Sequence, residues 1–342
     1  MKSFTRRKII FTFVLLSCAN MAHAGNMLFS DHPLVGKIWD MNSRSYLDEA
    51  ALLAMISKSD VLLLGETHDN PFHHEHQQKL LKARIASGAR SGLAPALMPA
   101  LMPALMPALM MEQLNADDQP ALDRALAGSD RDEVLNSVSA LVKFSNAQDY
   151  RPLLAIAVDN KLPVIAANVS SQKLQPVIRR GYAAYDPGEL KRLMAEEVWN
   201  GERQNYLVTH MGGAHCGMLR DELRMGLSRS QRLRDALMAD SAVAAMERGV
   251  VAIVGSIHAR RDIGLPLYFA ARDPKARIVT VAFVEVSPEV TDPRAYLADS
   301  ATGEAPFDVV WFTPRADRAD PCADFSQPEN KQLSAGEPEV KP

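Results

Sequence analysis

The stretch GETHDNPFHHEHQ, residues 65–77, is rich in side chains that can exchange protons or bind metal. It contains four histidines, two glutamates and an aspartate directly behind the apolar run VLLL. These residue types are typical of metal sites, of acid–base catalytic sites and of binding sites for a larger cofactor. The spacing differs from the HExxH zinc motif, because His74 directly follows His73.

Polar side chains of the same kinds follow other apolar runs. The pattern strand–Gly–x–x–His occurs twice, ending at His68 and at His258, and glutamates end the first two runs at Glu66 and Glu112. Ligands of open parallel sheets bind beyond the carboxyl ends of the strands. We therefore expect these four residues to share one crevice. There the carboxylates would orient an imidazole, accept a proton or bind a divalent metal.

A helix is predicted to begin directly after the first Gly-x-x-His pattern. Asn70 is a suitable N-cap and Pro71 suits the first helical position. His73 and His74 would then lie near the helix N-terminus, where an anionic ligand is favoured. We expect His73 and His74 to contact a ligand and His76 to be a surface residue.

The pattern of apolar runs indicates an α/β fold with a mostly parallel central sheet flanked by helices. The runs are continuous, as in strands that are buried on both faces, and helical patterns separate them. The interval 169–249 contains few strand signals and predicts an added helical layer or subdomain. The predicted strands are VLLLG (61–65), ALMME (108–112), PVIAAN (163–168), VVAIVG (250–255), IVTVAFVEV (278–286) and, closing an edge, DVVWF (308–312).

The N-terminus predicts export. A basic segment, MKSFTRRK, precedes a short apolar run, IIFTFVLL, so residues 1–24 are typical of a signal peptide. Ala22-His23-Ala24 fits a signal peptidase site and gives a soluble periplasmic protein that starts at Gly25. Leu15-Leu16-Ser17-Cys18 resembles a bacterial lipobox, with residues 1–17 as the signal and Cys18 lipidated in the outer membrane. Both interpretations remain open.

The predicted domain covers residues 25–313, followed by a disordered tail over 314–342 that is rich in Pro, Asp, Glu, Lys and Ser. Inside the domain, PALMPALMPALMPALM (95–110) is an insertion, because a proline every fourth residue opposes a helix. Only its last copy is placed to form a strand. Cys216 and Cys322 allow one disulfide. A net charge of −3 without basic runs argues against nucleic acid as a partner.

Taken together, the chain resembles the ChaN-like haem-binding uptake lipoproteins, which are related to erythromycin esterases and the Tiki metalloproteases. The resemblance covers about residues 35–285, and the PALM insertion and the tail lie outside the family pattern. The segments that carry it are VLLLGETHDNPFHHEHQ, LMMEQL, Tyr150-Arg151-Pro152-Leu153, LPVIAANVS, HCGML, SQRLRDALMA and GSIHARRDIGLPLYF.

The resemblance implies an exported homodimer that binds haem and takes part in iron acquisition. Glu66, His68 and His258 match the family's shared pocket. The resemblance also implies haem between subunits with a tyrosine as axial ligand, which matches no single position here: Tyr150 lies in a matching segment, and Tyr182, Tyr185 and Tyr206 lie in the helical interval. Tyrosinate suits ferric iron.

The cofactor-binding set predicted from the residues and the resemblance together is larger. Arg260 and Arg261 follow the second Gly-x-x-His pattern and could hold carboxylates such as haem propionates, or be locked by Asp262. His215 stands in a glycine-rich connection. The full set is His68, His73, His74, Tyr150, His215, His258, Arg260 and Arg261.

An alternative interpretation makes the protein a hydrolase. The wider group uses its glutamates and Gly-x-x-His residues for catalysis, with or without a metal. Glu66 or Glu112 would then act as general base, and His68 and His258 as acid–base partners or metal ligands. The haem interpretation is preferred, because the resemblance is closest to the haem-binding branch and the export signal suits iron uptake.

Overall fold

The computed structural model describes residues 26–88, 106–213, 216–297, 299–320 and 322. The predicted signal peptide and most of the PALM insertion lie outside the described residues. The strands are β1 (Met27–Leu28), β2 (Ile38–Asp40), β3 (Ser45–Leu47), β4 (Val61–Glu66), β5 (Ala108–Asn115), β6 (Val164–Asn168), β7 (Val250–Gly255), β8 (Ile278–Glu285), β9 (Val309–Thr313) and β10 (Arg315–Ala316).

An eight-stranded sheet forms the centre of the fold, in the order β3-β2-β9-β8-β4-β7-β5-β6. The strands from β9 to β6 are parallel, and β2 is antiparallel to both of its neighbours. The predicted α/β class and mostly parallel sheet are confirmed. The last copy of the repeat does enter β5, as its position before MEQL predicts.

Helices cover both faces of this sheet. They are α1 (Glu49–Ile56), α2 (Pro71–Gly88), α3 (Gln119–Leu126), α4 (Arg131–Ser139), α5 (Arg151–Asp159), α6 (Ser171–Arg180), α7 (Pro187–Leu193), α8 (Gly201–Gly213), α9 (Asp221–Ala242), α10 (Ser256–Ala259) and α11 (Leu265–Arg272). Helix α2 begins at Pro71 as predicted, with Asn70 Oδ1 accepting a hydrogen bond from the Phe72 amide (3.0 Å). Within the described part of the chain, no helix is both long and apolar enough to cross a membrane.

Each face of the sheet has its own hydrophobic core. Leu62 and Leu64 of β4 belong to the core beneath α1 to α5, whereas Val61 and Leu63 belong to the core beneath α6, α7, α9 and α11. This division follows from the two-residue repeat of a strand. This division into two faces determines which polar side chains at the strand ends can meet.

The sheet extends beyond the edge that the sequence predicts. DVVWF was expected to close an edge, but β9 is internal, because β2 pairs with it and β3 pairs with β2. The first residues of the predicted tail are also ordered: Arg315 and Ala316 pair with β1. The disulfide that two cysteines allow is present between Cys216 and Cys322. Residues 323–342 lie outside the described part.

Close packing of α9 against α6 depends on Gly226. A Cβ at this position would lie 2.2 Å from the carbonyl oxygen of Ile178, which is backbone and cannot rotate away. We expect Gly226→Ala to lower the free energy of unfolding by about 1–3 kcal/mol through overpacking, measured by urea denaturation. The matched control is Gly201→Ala, where nothing lies within 4 Å of the added atom. Equal stability of the two variants would contradict this prediction.

Candidate functional site

The carboxyl ends of β4 and β7 meet in the middle of the sheet. The two strands pair in parallel with Glu66 opposite Gly255, so the two Gly-x-x-His segments are neighbours. Gly65 and Gly255, at the ends of these two strands, let neighbouring atoms approach the backbone closely. A Cβ on Gly65 would lie 2.9 Å from the Cβ of Ala259, and one on Gly255 would lie 3.1 Å from His68 Nε2. The second glycine therefore leaves space for the imidazole of His68.

Glu66 is buried on the face of the sheet that α2 and α5 cover. Its Oε1 accepts hydrogen bonds from Tyr150 Oη (2.6 Å) and Gln113 Nε2 (2.9 Å). Its Oε2 accepts one from Gln77 Nε2 (2.6 Å). His68 Nδ1 lies 2.8 Å from Oε1. A buried carboxylate with this many donors is fully satisfied and ionised.

The charges of this first cluster support one another. Burial would raise the pKa of Glu66, but hydrogen bonds and charge interactions with His68 and His74 hold it at about 2. His74 Nε2 lies 3.3 Å from Oε2. Burial opposes the charged form of His68, yet its hydrogen bond to Glu66 raises the His68 pKa. Burial and the neighbouring carboxylate raise the pKa of Tyr150, so the phenol stays protonated as a donor.

His68 is the member of this cluster that reaches solvent. Its side chain is 39% exposed, and the Phe144 ring packs edge-on against it with 4.8 Å between ring centroids. Asn146 Nδ2 donates to the His68 carbonyl oxygen (2.5 Å). Arg318 and Asp69, which form an ion pair, complete the walls of a surface pocket around the imidazole. A small molecule in this pocket would meet a half-exposed imidazole bonded to a carboxylate.

A second buried cluster lies on the opposite face of the sheet, around His258. Glu112 Oε1 lies 3.3 Å from His258 Nε2, and Glu112 Oε2 accepts a hydrogen bond from the Gly255 amide (2.7 Å). Asp235 of α9 is hydrogen-bonded to His258 Nδ1. The side-chain amide of Gln231, one helical turn earlier, lies 3.0 Å from the same ring nitrogen.

His258 carries a positive charge between two carboxylates. Burial favours the neutral imidazole, but Glu112 and Asp235 outweigh it and raise the pKa of His258 to about 10. Burial raises the pKa of Glu112 in turn, and the charge of His258 more than offsets this and lowers it to about 2. Burial raises the pKa of Asp235. The group is a buried imidazolium–carboxylate triad.

Beyond the strand ends the four residues form two pairs, Glu66 with His68 and Glu112 with His258, and the pairs adjoin at Gly255, where an added Cβ would lie 3.1 Å from His68 Nε2 and 3.6 Å from Glu112 Oε2. Glu66 follows Leu62 and Leu64 on one face, and Glu112 follows Met110 on the other. His68 lies between them beyond the strand ends, where Glu112 and His258 both act on its pKa. The structure brings Glu66 to His68 and Glu112 to His258, but not the two glutamates to each other.

The other histidines of the opening stretch are packing residues. His73 is buried, its Nδ1 accepts a hydrogen bond from the Thr67 amide (2.8 Å), and its Nε2 lies 2.9 Å from Thr313 Oγ1. Burial lowers its pKa to about 3. His76 stacks on Trp311 with 4.1 Å between ring centroids, so it is half-buried rather than a surface residue. Neither His73 nor the buried His74 presents a free face to a ligand.

The remaining members of the predicted cofactor-binding set are dispersed. Tyr150 is buried against Glu66, and His215 lies outside the described residues. Arg260 is buried and makes a two-pronged ion pair with Asp262 (2.9 and 2.8 Å), which is the loop-locking alternative. Arg261 pairs with Asp308 at 2.9 Å and stays 40% exposed. Across the described ranges, no group of three or more His, Cys, Asp or Glu side chains is placed to hold a metal ion.

A further accessible group lies on α8. Tyr206 Oη donates to Asp299 Oδ2 (2.6 Å), and the Arg260 guanidinium packs over the Tyr206 ring, 4.6 Å from its centroid. His210, one turn later, stacks on the same ring. Tyr206 is partly exposed. Burial and Asp299 raise its pKa, so the phenol is protonated here.

Sequence reasoning missed most partners of the two clusters. Gln77, Gln231 and Asp235 lie on helices, and Gln113 follows Glu112 at the end of a predicted strand without forming a motif of its own. Asp235 had one signal: it stands in SQRLRDALMA with Gln231 four residues earlier, so both fall on one helix face. Both are buried in the structure.

The fold and these clusters define an α/β protein with polar residues gathered at the centre of a mostly parallel sheet. Residues 52–269 match a family described as haem-binding uptake, Tiki superfamily, ChaN. The chain belongs to this family, and the resemblance drawn from the sequence is confirmed.

Solved structures and curated proteins were also compared. ChaN of Campylobacter jejuni, solved with cofacial haem binding, is 20% identical with a TM-score of 0.62, covering 80% of this chain and 95% of that one. A mutant of the erythromycin esterase EreC in an open conformation is 10% identical with a TM-score of 0.38, covering 79% and 94%. The structural similarity to ChaN of Campylobacter jejuni shows that the two chains share a fold. No curated protein matches the chain.

Proposed function

We propose that this protein binds haem and takes part in haem or iron uptake outside the cytoplasm. Membership of the haem-binding uptake family over residues 52–269 is the observation that carries the proposal. The signal-like N-terminus supports export, either as a periplasmic protein or with Cys18 lipidated and anchored in the outer membrane. Haem between the subunits of a homodimer is part of the same proposal.

Tyr206 is the residue of this chain that best fits an axial ligand. It lies in the helical interval that the sequence indicates, and it is partly exposed, as Tyr182 and Tyr185 are, whereas Tyr150 is buried. Ferric haem accepts a phenolate ligand. Asp299 is hydrogen-bonded to the phenol and can take its proton, and Arg260 over the ring offsets the negative charge that remains. His68 is a second accessible contact, in the pocket at the strand ends.

The experiment is a haemin titration of the purified protein, followed by the Soret band. We expect saturable binding that Tyr206→Phe weakens at least about tenfold, the effect of losing one strong ligand interaction. Tyr46→Phe, on an exposed tyrosine of β3 outside the candidate set, is the matched control and leaves binding unchanged. No saturable shift in the unaltered protein would reject haem binding. An unchanged affinity in Tyr206→Phe would reject only this ligand.

The hydrolase alternative has one supporting observation, the half-exposed imidazole of His68 bonded to the ionised Glu66. Such a pair can transfer a proton to or from a molecule in the adjoining pocket. In this interpretation His68 is the group that contacts a substrate, and Glu66 orients it. Glu112 and His258 are buried on the other face and would act through His68. Ester hydrolysis that His68→Ala abolishes and Tyr206→Phe leaves intact would favour this alternative.

A further inference from the structure

An open cavity of about 610 Å³ lies away from both polar clusters. It is bounded by the turn between β2 and β3, by α8, by the loop after α10 and by α11. Its walls include Arg44, Arg203 and Arg261, and the acidic side chain among its described lining residues is Glu304. Three guanidinium groups from three separate elements thus converge on one cavity, which we name the arginine pocket.

Two of these guanidinium groups are held in place. Arg203 Nε donates to the Asp262 carbonyl oxygen (2.8 Å), and no carboxylate among the described residues forms an ion pair with its guanidinium group. Arg261 Nη1 donates to the Ile278 carbonyl oxygen (3.2 Å) and to Asp308 (2.9 Å). Holding a side chain before a ligand arrives lowers the entropy cost of binding it.

Arg44 carries the charge that is least compensated. In the described part of the chain it has neither an ion pair nor a side-chain hydrogen bond. It sits in the left-handed region with φ of 53°, a conformation that disfavours residues other than glycine and asparagine. Solvated surface arginines are commonplace, but here Arg44 lies at the rim of a cavity that two fixed arginines already line.

Beside the arginines, Asn42 and Glu304, the arginine pocket is lined by apolar side chains. Val198, Pro266, Leu267, Ile278 and Ala305 contribute to it. Guanidinium groups bind carboxylates and phosphates with paired hydrogen bonds, and an apolar wall favours a hydrocarbon body. A fully polar anion would leave this wall uncovered, and a neutral apolar molecule would leave the arginines unused.

We propose that the arginine pocket binds a small amphipathic anion, with a carboxylate or phosphate head against Arg44 and Arg203 and an apolar body against α11. The site is separate from the strand-end clusters and from Tyr206. The experiment that tests this proposal uses no porphyrin. A negative result would therefore reject the arginine pocket as a binding site without bearing on haem binding.

Isothermal titration calorimetry of the purified protein with decanoate and with decyl phosphate tests this proposal. We expect one-to-one binding of at least one of them, and the tighter probe identifies the preferred head group. Inorganic phosphate should bind at least about tenfold more weakly, because it lacks the apolar body. Decanol should show no saturable binding, because it lacks the charge.

Variants separate the charges from the cavity itself. Arg44→Gln and Arg203→Gln should each weaken the tighter probe about tenfold by removing a charge-assisted hydrogen bond. Glu304→Gln should tighten it by removing a repelling carboxylate. Arg179→Gln, on the exposed face of α6, is the matched control and should change nothing. Absence of binding by both anions, equal binding of decanol, or unchanged affinity in both arginine variants would overturn the proposal.

Discussion

Replacing Glu66 with glutamine is expected to lower the free energy of unfolding by about 3–5 kcal/mol, because it breaks a buried network of charges and hydrogen bonds. The carboxylate accepts from Tyr150, Gln113 and Gln77. A glutamine amide offers one oxygen and turns its NH₂ group toward other donors. It also removes the negative charge that supports His68.

Urea denaturation at neutral pH measures this loss. Glu75→Gln is the matched control, because it makes the same chemical change at an exposed position of α2, the helix that covers Glu66, and it should alter stability by less than about 0.5 kcal/mol. A loss below about 1 kcal/mol for Glu66→Gln would mean that the network relaxes around the amide. The same variant also changes the imidazole that borders the pocket, so any activity of His68 should fall with it.

Long apolar runs made most of the sheet predictable. VLLLG, VVAIVG and IVTVAFVEV are continuous because both faces of these strands are buried, and each became a central strand. β2 and β3 were missed, since three residues each are too short for a periodic signal. The assignment of DVVWF to an edge was wrong for the same reason: nothing in the sequence showed the two short strands beyond it.

The division of the site depends on register, which the sequence does not specify. Val251 of β7 pairs with Leu62 on one side and with Leu109 on the other. Glu66 stands four residues after Leu62, and Glu112 stands three residues after Leu109. Side chains alternate between the two faces of a strand, so the four-residue offset keeps Glu66 on the face of Leu62. The three-residue offset puts Glu112 on the face opposite Leu109.

Composition misplaced the start of the C-terminal tail. Residues 314–320 are rich in Pro, Asp and Arg, which indicated disorder, yet Arg318 makes ion pairs with Asp69 (2.6 Å) and Glu285 (2.7 Å). Asn70 Nδ2 donates to the Pro314 carbonyl oxygen (2.9 Å). The contacts with Asp69 and Asn70 join residues more than 200 positions apart, so local composition contained no sign of them. They also place Arg318 at the pocket around His68.

The stability of the protein should fall as the pH rises from 6.5 to 9, because the folded state keeps a proton on His258 that the unfolded chain releases over this range. Its folded pKa is about 10, and an unfolded histidine has a pKa near 6.5. A raised pKa contributes stability that is complete below the unfolded value and is lost as the pH rises toward the folded one. One proton over this window corresponds to roughly 3 kcal/mol.

Urea denaturation at pH 6.5, 8 and 9 gives the slope, and His258→Gln should flatten it. His68 also has a raised pKa, so His68→Gln serves as the control that removes only the other contribution. Because His258→Gln leaves Glu112 and Asp235 buried without a cation, that variant is costly to fold. Histidine NMR of the unaltered protein gives an independent test: the ring of His258 should remain protonated at pH 8. A neutral ring at that pH would show that burial outweighs the two carboxylates, and that the triad does not hold the charge inferred from its geometry.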